Sequence, residues 1–243
     1  MKRTERHHLK ENEFAEWLLG AKTWYEANSR ILGYVAIAVV LGLVAVMGTM
    51  TFRQMSAGKA SSALADALAI AEAPVLPPVP GEAGKPPVQR AGTYPTDRAR
   101  IEAALPKLLA VAEAYPGSDA GIMARYRAAS ALVAVGRVPE GIQRYKEVIE
   151  KGRGAYQAMA RLGVAEAHLL AGQFDQAIAA FKEVESMKSD DVPVDGVLMQ
   201  LGRAYRLAGK PEDAKKTFKR VADEFPQSPY AAAARREAEG DGA

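Results

Sequence analysis

Apolar and polar residues follow each other along this chain in two different rhythms. Between Ile31 and Phe52 there is no alternation: ILGYVAIAVVLGLVAVMGTMTF holds no charged side chain and is closed by Arg30 and Arg53. As a helix, these 22 residues extend roughly 33 Å, about the hydrocarbon thickness of a bilayer. A helix is the one local structure that satisfies its own backbone in lipid. The run is therefore either a transmembrane helix or a helix buried on every side, and the flanking arm supplies too few apolar neighbours for burial. About thirty residues precede the run, it exceeds the usual signal-peptide core, and no small-x-small cleavage site follows. A retained anchor over residues 31–52 is expected.

The arm over residues 1–30 has a helical rhythm. Phe14, Trp17, Leu18, Ala21 and Tyr25 recur on one face, with Glu13, Glu16, Lys22 and Glu26 elsewhere. Both tryptophans, Trp17 and Trp24, lie here, and such rings favour the headgroup zone. After the anchor, residues 53–73 are small and helix-prone, as a stalk or as the first helix of a repeat. Residues 74–96 are dense in proline, which opposes helix and favours an extended spacer or inserted loop.

Over residues 97–243 the apolar positions recur at helical spacing and the whole pattern recurs. First helices read MARYRAASALVAVG from Met123, MARLGVAEAHLLAG from Met159 and GVLMQLGRAYRLAG from Gly196. Second helices begin near Val138, Phe174 and Pro211. Gly136, Gly172 and Gly209 stand 36 and 37 residues apart, and Tyr145, Phe181 and Phe218 keep the same intervals. A helical hairpin repeated at this period cannot bury its apolar face alone, so stacking must stabilise it. The predicted fold class is all-α: a single transmembrane helix followed by an α-solenoid of helical hairpins. Small residues at Ala129, Ala165, Gly202, Gly141, Ala177 and Ala214 are expected to let helices approach, with Tyr145, Phe181 and Phe218 filling the hollows between neighbouring pairs.

An incomplete unit precedes these three. Ala104, Leu108, Val111 and Tyr115-Pro116 mark a second helix whose first helix is expected within 56–72, and Pro106 should kink it. At the other end, Ser228-Pro229 is expected to open a final capping helix.

Charge and chemistry narrow the function. The formal net charge is +3, with no concentrated basic face of the kind a nucleic-acid binder carries. Six Lys and Arg residues precede the apolar run against Arg53 and Lys59 in the twenty that follow, which places the N-terminus inside and the repeats outside. There is no cysteine, so disulfides and thiolate chemistry are excluded. No motif for a nucleophile, phosphate loop or dinucleotide site occurs. His7 and His8 read as part of a basic end, His168 as a packed core histidine, and Asp190-Asp191 as loop acids. No catalytic residue, cofactor, metal or small-molecule substrate is expected.

The repeat resembles the tetratricopeptide repeat. Leu201-Gly202, Tyr205, Ala208-Gly209, Ala214, Phe218 and Pro226 fall on that pattern in the third unit; Ala165, Ala177 and Phe181 do so in the second, and Ala129 in the first. The resemblance implies a concave groove lined by first helices, at Tyr126, Ser130, Val133, Leu162, Glu166, Leu169, Met199, Arg203 and Arg206. These positions do not reproduce the set with which some such proteins clamp a terminal carboxylate. The whole architecture is similar to the YfgM-like family of ancillary SecYEG translocon subunits. That similarity implies a periplasmic repeat domain on the inner membrane, with translocon, periplasmic chaperone or envelope proteins as partners. An envelope or cell-division coordinator of the Tol-Pal-associated type is the alternative, and a membrane-bound hydrolase the third.

Overall fold

The computed structural model describes residues 3–81, 86–187 and 189–240 and arranges them as nine helices, with no β-strand among the described residues. The chain divides into two compact units, Met1–Met55 and Ser56–Ala243.

The first unit is the greater part of α1 (Arg3–Ala71). No proline interrupts this helix, and its polar groups are satisfied locally. Thr49 Oγ1 donates to the Val46 carbonyl at 2.9 Å and Thr51 Oγ1 to that of Met47 at 3.0 Å, so these hydroxyls leave no unmet donor in the apolar stretch. Ile31, Val40, Leu41 and Met47 each expose more than half their surface. From Gly33 onward α1 is long and apolar enough to cross a membrane, and none of its most apolar window is buried by protein. Trp17, Trp24 and Tyr25 are also exposed. The side chains of His7, His8 and Phe14 lie outside the described residues.

The second unit begins with the last turns of α1. Leu64 and Ala67 share a core with Ala104, Leu105, Leu108, Val111 and Ala112 of α2 (Asp97–Ala114) and with Ala124, Ala128 and Leu132 of α3 (Asp119–Ala134). Between α1 and α2 the described residues on either side of 82–85 pair with each other: Val79 and Val88 exchange both backbone hydrogen bonds at 3.0 Å, and Leu76 N–H donates to Tyr94 O at 2.9 Å. The proline-rich stretch is thus an inserted loop, not an extended spacer. Arg100 Nη1 ties it down by donating to Ala73 O at 3.2 Å. Helix α2 continues through Pro106, which does not end it. Pro106 and Glu102, whose carbonyl loses its usual donor, are both exposed, the side of a helix on which a freed carbonyl is least costly.

The helices that follow are α4 (Val138–Lys151), α5 (Ala155–Leu170), α6 (Phe174–Ser186), α7 (Val194–Leu207), α8 (Pro211–Glu224) and α9 (Ala231–Glu239). Each packs on its neighbours in sequence; in addition α3 meets α5 and α5 meets α7. First helices of successive hairpins therefore lie side by side, the arrangement of an α-solenoid. The turns explain the glycine period. Gly136, Gly172 and Gly209 have φ of +89°, +71° and +71°, a region that costs other residues. The next residue's N–H then reaches back to close the helix: Arg137 to Leu132 O at 2.8 Å, Gln173 to His168 O and Lys210 to Tyr205 O at 2.9 Å.

Close approach is concentrated at two aromatic seats. A Cβ on Gly202 would lie 2.5 Å from the ring of Phe218, and one on Gly163 would lie 2.5 Å from the ring of Tyr145. Phe218 thus sits within its own hairpin, α7 with α8, and Tyr145 of α4 reaches into the next one, against α5. The hollow between pairs is therefore filled by Tyr145, while Phe218 packs inside a pair. Phe181 is fully buried among Ala165, Ala177, Val184 and Leu198. The one buried charge among the described residues is Arg125, whose Nη2 donates to Ala112 O at 2.7 Å and whose Nε lies 3.0 Å from Glu147 Oε2. It joins α2, α3 and α4.

Two local expectations change. Ser228 does not cap a helix beginning at Pro229: its hydroxyl donates to Asp195 at 2.5 Å, and α9 begins at Ala231. His168 is only half-buried, near the end of α5, with Nδ1 2.6 Å from Gln173 Oε1, because the last turn of a first helix reaches past the core.

Candidate binding groove

First helices place every third or fourth residue on their shared face, and the structure sorts the nine predicted positions into three groups. Tyr126, Ser130 and Val133 of α3 and Leu162 and Leu169 of α5 are half-buried, while Glu166 is open to solvent. On α7, Arg203 is exposed and its Nη1 lies 3.5 Å from Gln200 Oε1. Met199 instead is only 4% exposed and belongs to the core with Val197, Leu198 and Phe218; near the start of α7 its face is turned inward. Arg206 pairs with Glu237 of α9, so the capping helix occupies it.

The structure brings Tyr126, Ser130, Tyr145 and Tyr156 together at the α3–α5 junction. The Tyr126 ring centroid is 5.6 Å from that of Tyr145 and 6.0 Å from that of Tyr156, with planes tilted by 59° and 58°. Tilted rings at these separations bring edges towards faces, the arrangement aromatic quadrupoles favour. The Tyr145 hydroxyl and Ser130 Oγ share a hydrogen bond of 2.7 Å, so the tip of this core aromatic emerges on the groove face. Tyr145 and Tyr156 are absent from the set given by the repeat's register. Their signal in the sequence is weak: the hydroxyl that separates Tyr145 from Phe181 and Phe218, and the tyrosine opening α5.

Burial and the Glu166 charge dominate the electrostatics of the patch, with the Arg127 guanidinium acting on Tyr126 in the opposite direction. Burial pushes the Tyr145 hydroxyl up to about 12, and the Glu166 carboxylate contributes in the same direction. Tyr126 is raised for the same reasons, burial first. Glu166 itself lies above the usual carboxylate range because the surrounding wall displaces water. A concave wall reconciles that displacement with a side chain a probe can still reach. Among the described residues Glu166 has neither a salt bridge nor a hydrogen bond, since nearby Arg161 is taken by Glu183 at 3.2 Å. One hairpin further along, Lys182 lies 5.5 Å from the centroid of the Tyr205 ring, so that aromatic already has its cation.

These features define a stacked helical-hairpin solenoid with an open first-helix face, the architecture of a protein that binds other proteins. Residues 168–238 match the family described as tetratricopeptide repeat. No curated protein matches the sequence as a whole. Among solved structures, the fold is similar to a single-substitution variant of a Podosopora anserina protein described as a kinesin light chain with nearly identical TPR-like repeats. The two share 17% identity at a TM-score of 0.50, over 57% of this chain and 76% of that one. A second crystal structure under that description aligns over the same shares at 0.49. At this identity the likeness is one of fold.

Proposed function

We propose that this chain is a membrane-tethered scaffold, with α1 crossing the bilayer between residues 31 and 52 and the hairpins presenting the α3–α5–α7 face to protein partners. The observation that carries the reading is the combination in one chain of an apolar helix that no protein covers with a solenoid whose first helices keep Glu166 and Arg203 exposed and Tyr126, Ser130 and Leu162 part-exposed. The surplus of Lys and Arg before the span supports an N-terminus on the cytoplasmic side and a repeat domain outside the inner membrane. Translocon, chaperone or envelope proteins are then the partners within reach.

The test is crosslinking in intact membranes through a photoreactive residue placed at Ser130, with the same residue at exposed Glu150 of α4 as reference. Adducts that depend on position 130, from a protein that resists alkaline carbonate extraction, are expected. Release into the carbonate supernatant, or adducts identical from both positions, would overturn the proposal. Protease access in spheroplasts fixes the side: digestion of the repeats is expected, and their protection would reverse the orientation.

A further inference from the structure

The α3–α5 junction carries more information about its ligand than an open face does. Glu166 points a carboxylate at solvent within a wall of tyrosines, without a cation of its own among the described residues. The Tyr126 ring lies 5.6 Å from that of Tyr145 and 6.0 Å from that of Tyr156, centroid to centroid, along that wall. Aromatic faces are the negative parts of their quadrupoles and attract cations. The next hairpin has already met these demands internally, through Lys182 of α6 over Tyr205 of α7 and Arg206 of α7 on Glu237 of α9. At this junction the demand is unmet.

We propose that the α3–α5 junction receives one cationic side chain, lysine or arginine, from an extended protein segment, with Glu166 as counter-ion and Tyr126 and Tyr156 as aromatic walls, Tyr145 supporting them from the core. This rests on the scaffold reading and names the chemistry of its partner. A lone carboxylate does not furnish the donor set of a metal site, which leaves an organic cation. Arg203 occupies the register position equivalent to Glu166 one first helix along and is exposed, so a second cation is repelled there. The segment therefore carries an isolated cation and not a basic run. The raised carboxyl of Glu166 agrees: a site short of water and of positive charge is one that a cation would relieve.

The experiment uses the full chain in mild detergent and an array of immobilised peptides of about ten residues, the length that spans three adjacent helices. Peptides come in matched sets that differ only at the central residue: arginine, lysine, citrulline or glutamate. Retention of the arginine and lysine members over the citrulline member by roughly tenfold is expected, with the glutamate member weakest. Glu166→Gln should abolish the discrimination while leaving citrulline peptides unchanged, and Glu150→Gln, on α4, should preserve it. A helical far-UV spectrum and an undiminished melting temperature for Glu166→Gln establish that the loss is local. Retention indifferent to the central charge, or discrimination that survives Glu166→Gln, would overturn the proposal and leave the scaffold intact. An array that retains nothing overturns it too, and the photocrosslinking above then judges the scaffold by itself.

Discussion

Gly202→Ala puts the packing of the third hairpin to a direct test, because propensity and packing pull in opposite directions. In a helix interior, alanine is favoured over glycine by about 1 kcal/mol. At position 202 the added methyl would lie 2.5 Å from one ring carbon of Phe218 and 2.8 Å from two others, distances that no tilt of a planar ring relieves at once. Phe218 is only 1% exposed and walled by the core, so α7 and α8 must separate. Overpacking of this kind costs about 1–3 kcal/mol, which leaves a net loss of about 0–2 kcal/mol once propensity is credited, against a gain of up to about 1 kcal/mol where no overpacking occurs. Gly196, on the same helix, provides the reference: its added methyl meets only Tyr230 at 3.7 Å, ordinary contact, so Gly196→Ala should be neutral or stabilising. Urea unfolding of the full chain in mild detergent, followed by ellipticity at 222 nm, measures both. In a Phe218→Leu background the Gly202→Ala loss should shrink towards zero, exposing the coupling between the two positions. If Gly202→Ala is as benign as Gly196→Ala, the ring does not rest on α7 and the account of the hairpin is wrong.

Other expectations follow from the same geometry. Phe181→Ala removes a fully buried ring and should cost about 3–5 kcal/mol in the same denaturation experiment. Arg125→Ala strips the Ala112 carbonyl of its donor and leaves Glu147 with Arg144 alone; a loss of about 1–3 kcal/mol is expected, and Arg125→Lys should fail to restore it because one ammonium cannot span both. Thr96→Ala and Ser118→Ala each remove a side-chain acceptor from a helix start, for about 1 kcal/mol apiece. For Glu166 the sign is set by its raised carboxyl: folding favours the protonated form, so the ionised form weakens the fold above that raised value, and the penalty disappears below the ordinary glutamate range. Glu166→Gln should therefore melt higher than the parent near neutral pH, with the gap closing as pH falls; a gap that widens on acidification would contradict the assignment.

What could be read in the chain was whatever repeats. The glycine period of Gly136, Gly172 and Gly209 corresponds to three turns of one geometry, because a left-handed residue at a helix end leaves little choice of side chain. The apolar run of α1 stands out equally, since lipid-compatible composition over that length has few other uses. Less legible was the contact made by a single side chain. Leu162-Gly163 looks in sequence like a displaced copy of Leu201-Gly202, yet each glycine receives a ring, Gly163 from the preceding hairpin and Gly202 from its own. Register alone cannot say from which side a ring arrives. Met199 and Arg206 differ from the other groove positions for a related reason: Met199 packs into the core around Phe218, and Arg206 pairs with Glu237 of α9. The proline-rich loop was opaque because its order comes from backbone pairing, such as Val79 with Val88, which side-chain patterning does not encode.

Tyr145 shows how the core and the groove of this protein are one structure. Its ring does the packing that phenylalanine does in the later hairpins, and is 5% exposed. Placing it between its own first helix and Gly163 of the next hairpin turns its hydroxyl towards the junction of α3 and α5, where Ser130 meets it at 2.7 Å. A phenylalanine there would keep the contact with Gly163 but leave Ser130 without its partner. The polar tip is therefore not required for stacking as such. It orders the wall on which Tyr126 leans and beside which Glu166 stands. Tyr145→Phe separates the two roles. The change should lower stability by no more than about 1 kcal/mol, the net worth of a single hydrogen bond, while loosening the wall enough to weaken retention of the cationic peptides. An equal loss for every peptide in the matched sets would instead mean that the hydroxyl supports the fold and nothing more.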